Sequence, residues 1–191
     1  RTNVTYNGGE QTIFAAGSCT TGGTMYYSDT NKEFSTSTWS KSLPYSKKTN
    51  MGTYTLYYYC YVSDTTNNTG TDINTIKSIN ATVYQKAVTY TATNQSKTYD
   101  GTALSAANTA KLTSGSLVSG HEAIVTCSGS QTNAGSSTKT LTSVIIMSGT
   151  TDVTSNYNVS YVNGTLTVNK KSTTVTYNPS DLTVQALNSA T

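Results

Sequence analysis

Between Gly52 and Val62 the chain reads Gly-Thr-Tyr-Thr-Leu-Tyr-Tyr-Tyr-Cys-Tyr-Val. Side chains of an extended strand alternate between its two faces. Tyr54, Leu56, Tyr58, Cys60 and Val62 therefore share one face, and Thr55, Tyr57, Tyr59 and Tyr61 the other. Ile76, Ile79, Ala81 and Val83 supply a second such segment, and no stretch of the chain shows a helical period. Charged residues make up only 11% of the chain. A chain so poor in charge and large aliphatics risks disorder, but fifteen tyrosines beside alternating Val, Ile and Leu argue for packed sheets. The expected fold class is all-β.

The chain also begins twice. Val4-Thr5-Tyr6-Asn7 is repeated as Val175-Thr176-Tyr177-Asn178, and Thr12/Thr183, Ser18/Ser189 and Thr20/Thr191 match further along the same ungapped alignment. This self-similarity predicts a slice of a longer modular array, with modules at 1–86 and 87–170 and the start of a third at 171–191. In the first module the expected strands are Asn3–Tyr6 and Gln11–Phe14, paired as a hairpin around Asn7-Gly8-Gly9, followed by Thr24–Ser28, Gly52–Val62 and Ile73–Tyr84. In the second they are Val88–Ala92, a strand near Leu104, Glu122–Cys127, Lys139–Met147, and Tyr157–Tyr161 hairpinned to Gly164–Val168 across Asn163-Gly164. Turn signals at short intervals suggest sandwiches of antiparallel sheets. Tyr54 and Tyr157 stand near the start of late strands, where a phenol can tie a corner to the backbone.

Chemistry is sparse. The formal net charge of +3 comes from thinly spread basic residues; Lys47-Lys48 and Lys170-Lys171 read as solvated turns or linkers, so no nucleic-acid surface is expected. The single histidine, His121, reads as an exposed turn residue whose neighbour Glu122 points to the opposite face. The cysteines are too far apart for zinc-ribbon or thioredoxin spacing, no phosphate-binding glycine loop follows a strand, and no two carboxylates demand an acid–base pair. Asp29, Asp64, Asp72, Asp100 and Asp152 fall in loops without the acidic ladder of a calcium site. The expectation is no enzyme, no cofactor, no metal and no membrane insertion by this segment. Cys60, on the inward register of its strand, and Cys19, after an early strand, are candidates for a bridge between sheets; the alternative is two small buried thiols that never meet. Cys127 reads as a core residue without a partner. Tyr57, Tyr59 and Tyr61, joined by Trp39, form a candidate outward binding face for sugars or proteins, against the plainer reading of an ordinary sheet surface.

Lys97-Thr98-Tyr99-Asp100-Gly101-Thr102, Val118-Ser119-Gly120-His121, Ser128 to Ser136 and Asn156 to Val168 resemble, in order, signatures of the MBG family of bacterial Ig-like modules. Tyr6-Asn7-Gly8, Gly22 to Ser28 and Asn50 to Tyr58 are similar to a related bacterial Ig-like repeat. The resemblance implies tandem Ig-like antiparallel β-sandwiches in a large bacterial surface or adhesin protein, extracellular, with neighbouring modules of the same chain as partners. The implied role is a stalk that extends and presents distal domains. Two alternatives are a module that grips host glycan or matrix protein through its tyrosine face, and decoration of a phage tail or capsid. No core trio of Lys, Asn and acid suggests an internal isopeptide bond.

Overall fold

The computed structural model describes residues 1–19, 22–68, 70 and 72–176. The chain is all-β, with 52% of the described residues in strands. The first half contains β1 (Val4–Thr5), β2 (Gln11–Thr12), β3 (Thr24–Ser28), β4 (Lys47–Lys48), β5 (Gly52–Tyr61) and β6 (Ile76–Tyr84). The second contains β7 (Lys86–Ala92), β8 (Gln95–Thr98), β9 (Leu104–Ser105), β10 (Ala110–Gly115), β11 (His121–Ser128), β12 (Ser130–Gln131), β13 (Gly135–Ser148), β14 (Thr151–Asp152), β15 (Tyr157–Val162) and β16 (Gly164–Asn169). A single 3₁₀ turn, Thr154–Asn156, is the only helical element among the described residues. The segment expected to open a third module lies outside the described residues beyond Thr176; Val175 and Thr176 themselves are in no strand.

In the first half, β1-β6-β5-β3 form one sheet and β2-β4 a small second one. In the second, β10-β7-β15 face β11-β13-β16-β8. Val88, Tyr90 and Ala92 from one of these sheets and Leu141, Val144 and Ile146 from the other are buried in a common core, as in a β-sandwich. The long β13 serves two partners, β16 along Gly135–Lys139 and β11 along Thr140–Ser148.

Both expected hairpins give way to pairings across the fold. The Asn7-Gly8-Gly9 turn forms, with Gly8 at φ +84° and the Gly9 amide donating to Asn7 Oδ1 at 2.9 Å. Its flanking strands then part: β1 runs parallel to β6, and β2 pairs with β4. Lys47-Lys48 is accordingly a strand and not a solvated turn. At Asn163-Gly164 the chain crosses between sheets, β15 lying parallel to β7 while β16 joins β13 and β8. A two-residue hairpin of the favoured type needs positive φ at both central residues, and Gly164 is not among the positive-φ glycines. Glycine is needed there for proximity: a Cβ would lie 2.5 Å from the Ala92 carbonyl oxygen.

One residue, Gln85, separates β6 from β7, and the two strands belong to different sheets. The apolar core nevertheless runs on across this point, through Tyr6 and Val83 on one side and Val88 and Tyr157 on the other.

Candidate functional site

Three features deserve a functional reading: the aromatic face of β5, the cysteine pair beside it, and the contact between the halves.

On β5, Tyr59 and Tyr61 do share a face, as the alternation requires, but the loop after β3 folds over it. Phe34 stacks on Tyr59 with ring centroids 3.7 Å apart and planes 4° from parallel, and lies 5.6 Å from Tyr61. Trp39 packs edge-on to Phe34 and Tyr59 and donates its indole N–H to the Glu33 carbonyl at 3.1 Å. Trp39 is therefore not part of an outward ladder; it is 4% exposed, inside a small second core with Tyr26. Burial of this flat ring with its one donor satisfied is the lower free-energy arrangement. Tyr57 is half-buried, and Tyr61, at 36%, is the most open of the three tyrosines. Burial raises the Tyr59 phenol above its usual range.

Cys19 and Cys60 are joined in a disulfide, with Cα atoms 5.5 Å apart and 41 residues of separation. It ties the segment after Phe14 to β5. Under that segment lies a cavity of about 380 Å³ whose walls include Phe14, Met25, Leu56, Tyr58 and Ile79. Cys127 is buried and unpaired, its amide donating to Asn108 Oδ1 at 2.8 Å.

His121 is a half-buried junction residue, not an exposed turn. Its Nδ1 is 2.8 Å from the Tyr157 hydroxyl, which also accepts the Val118 amide at 3.0 Å. The Tyr6 ring of the first half meets Tyr157 edge-on at 5.6 Å and His121 at 6.2 Å. Burial raises the Tyr157 and Tyr6 phenols, the Val118 amide opposing the shift at Tyr157 and the neighbouring Tyr157 adding to it at Tyr6. Tyr54 ties its corner as expected, its hydroxyl donating to the Asn50 carbonyl at 2.8 Å. A polar clasp flanks these rings. The Met51 amide donates to Asn156 Oδ1 at 2.7 Å, Asn156 Nδ2 to Asn50 Oδ1 at 3.3 Å, and Gln85 Nε2 to the Ser155 carbonyl at 2.9 Å. Asn156 is 3% exposed, and Gly8 approaches so closely that a Cβ on it would stand 2.5 Å from Val118 Cγ1.

Sequence reasoning singled out none of Asn50, Gln85 and Asn156 for this role. An asparagine that bonds a backbone more than a hundred residues away has no local pattern; its only signal is a polar residue just before the buried Tyr157.

Lys139 is fully buried, its ammonium donating to the Thr93 carbonyl at 3.0 Å and Thr109 Oγ1 at 2.8 Å. Both contacts are to neutral oxygens, with neither a carboxylate nor a carboxamide among them. Among the described residues no three His, Cys, Asp or Glu side chains converge as metal ligands, and no helix is long and apolar enough to cross a membrane. No family model, no curated protein and no solved structure matches the chain.

Proposed function

We propose that this chain is a stalk segment of a large bacterial surface protein, two Ig-like modules meeting at Gln85, whose work is to hold a distal domain at a distance. The observation that carries the reading is the clasp between the halves. A one-residue connector, a buried asparagine and a tyrosine–histidine contact leave little freedom at the joint, which suits a part that transmits position rather than one that performs turnover. Extracellular placement is supported by the Cys19–Cys60 bridge, since such bonds persist in oxidising surroundings. The family assignment rests on the sequence blocks around Lys97–Thr102 and Asn156–Val168. The rival glycan-gripping face loses ground with Trp39 and Tyr59 covered, because stacking on a sugar needs an open ring.

Residual dipolar couplings fitted separately to residues 1–84 and 86–169 should return one common alignment tensor. Two different tensors would remove the stiff joint and the stalk with it. An antiserum against the chain should label intact source cells, and labelling only after lysis would refute the surface location.

A further inference from the structure

Among the described residues β11 is the edge of its sheet, bonded only to β13. Which of its backbone groups remain free follows from three contacts. The His121 amide donates to the Val118 carbonyl and the Cys127 amide to Asn108 Oδ1, so both point away from β13. Ile146 stands opposite Ala123 and spends its own N–H and C=O on Thr154 Oγ1 and the Val153 amide, on the side away from β11. That makes Ala123–Ile146 a pair without mutual hydrogen bonds, and the odd-numbered residues of β11 direct their backbone groups outward. With the amides of 121 and 127 already engaged, the open window consists of Ala123 and Val125.

The side chains beside that window are apolar and bare. Ile124 is 58% exposed and its cross-strand neighbour Ile145 39%, with Glu122 and Thr126 exposed on either side. An unprotected edge bearing exposed isoleucine is a template for a further strand.

We propose that β11 pairs with β11 of a second copy of this chain, antiparallel and centred on Ile124. The open window is symmetric about Ile124, which suits a second copy of the same strand and fixes the register. A two-fold at Ile124 sets Ala123 against the partner's Val125 and Val125 against the partner's Ala123, so all four open donors and acceptors on each strand are used. A two-fold at Ala123 would require the His121 amide, and one at Val125 the Cys127 amide, both already engaged. Charge agrees with the choice: Glu122 faces the partner's Thr126, and the two Glu122 carboxylates stand four residues apart along the ladder, about 13 Å at the usual strand rise. The two Ile124 side chains meet at the centre, covering the barest apolar residue of this strand, and the sheet becomes continuous through both copies.

In sedimentation equilibrium the full chain should show a reversible monomer–dimer equilibrium below about 1 mM, the weak end of specific association. Ile124→Lys, which sets like charges face to face on the axis, should weaken it at least about tenfold. Register is read by cross-linking. Residues paired without mutual hydrogen bonds lie about 4.5 Å apart at Cα, within disulfide reach, so Ile124→Cys should oxidise readily to a covalent dimer. Glu122→Cys alone should not, whereas an equimolar mixture of Glu122→Cys and Thr126→Cys should. In the unmodified chain, the Ala123 and Val125 amides should exchange more slowly as concentration rises, a reading that needs no variant to fold. A monomer throughout the concentration range, a dimer indifferent to Ile124→Lys, or Glu122→Cys cross-linking as fast as Ile124→Cys would each overturn the proposal.

Discussion

Replacing Asn156 by alanine removes both side-chain bonds that cross the joint at this point while leaving either core untouched. The Met51 amide loses the 2.7 Å acceptor Oδ1, and Asn50 loses a 3.3 Å donor. A buried donor left without a partner costs about 1–3 kcal/mol, and the longer amide–amide bond is worth about 0.5 kcal/mol. Because the Met51 amide is only partly buried, water can reach it after the substitution, so the loss should fall near 2 kcal/mol. That is a large share of the roughly 5–15 kcal/mol that holds a domain together.

The protein supplies its own reporter for the assay. Trp39 is the sole tryptophan and lies in the first half, so its fluorescence follows that half, while far-ultraviolet dichroism follows both. In guanidinium chloride the two probes should coincide for the unmodified chain, since the halves share a continuous core, and separate for Asn156→Ala as the coupling weakens. Asn50→Ala, which removes only the longer bond, should cost less than half as much. A loss below about 0.5 kcal/mol for Asn156→Ala, the range of ordinary surface changes, together with coincident transitions, would show that the clasp does not couple the halves.

Cys19→Ser with Cys60→Ser should lower stability by about 4 kcal/mol, the chain-entropy value for a bridge that closes a 41-residue separation; finding both thiols free in the folded protein isolated from its source would dismiss the bridge. Tyr6, Tyr45, Tyr59, Tyr90 and Tyr157 all have phenols raised chiefly by burial. A proton held more tightly in the folded state contributes stability below the unfolded value near ~10, lost as pH rises through the folded values. Alkaline titration at the tyrosinate band should therefore show an early set of phenols and a late set that ionises with unfolding, and one common step would contradict it. Gly8→Ala should loosen the joint, because Gly8 has φ +84° and its new methyl would press on Val118; the separation of unfolding transitions expected for Asn156→Ala should appear here too, and unchanged coincidence would argue against close approach at this point.

What the sequence disclosed follows the range of the interactions involved. β5 was legible because its alternation is local, and the Tyr54 corner bond spans only four residues. β8 and β10 were not: Gln95–Thr98 is wholly polar, and Ala110–Gly115 is exposed over most of its length and shifts register between Leu112 and Ser114, so both gain their place from a neighbouring strand's backbone and leave no clear period-two signal. Both hairpin expectations failed for one reason. Turn residues report a change of direction, and the direction taken here leads into another sheet, with β1, β8 and β15 each finding a parallel partner. Trp39 shows the opposite limit. Alternation along β5 correctly places Tyr59 and Tyr61 on one side, yet which side meets solvent depends on the loop carrying Phe34 and Trp39. Two large apolar rings in an otherwise polar stretch were the available hint that this loop had something to cover.

The same long-range pairings explain why a single connecting residue can suffice at the joint. Tyr84 is held opposite Thr5, and its carbonyl accepts the Tyr6 amide at 2.9 Å; Lys86 is held opposite Tyr157. Gln85 is thus pinned on both sides by strands that come from the far ends of the two halves. A lone residue spans about 3.5 Å, so the halves stay close, and they cannot swing apart without parting Met51 and Asn50 from Asn156 and Gln85 from Ser155. Tyr6 directly follows the first pairing and Tyr157 opens the second, and the two rings meet edge-on. Bending the joint would therefore break the clasp hydrogen bonds and expose aromatic surface together, whereas a free linker would give up neither. In the stalk proposed above, this coupling, more than the strength of any one contact, is what would let one half hold the direction of the other.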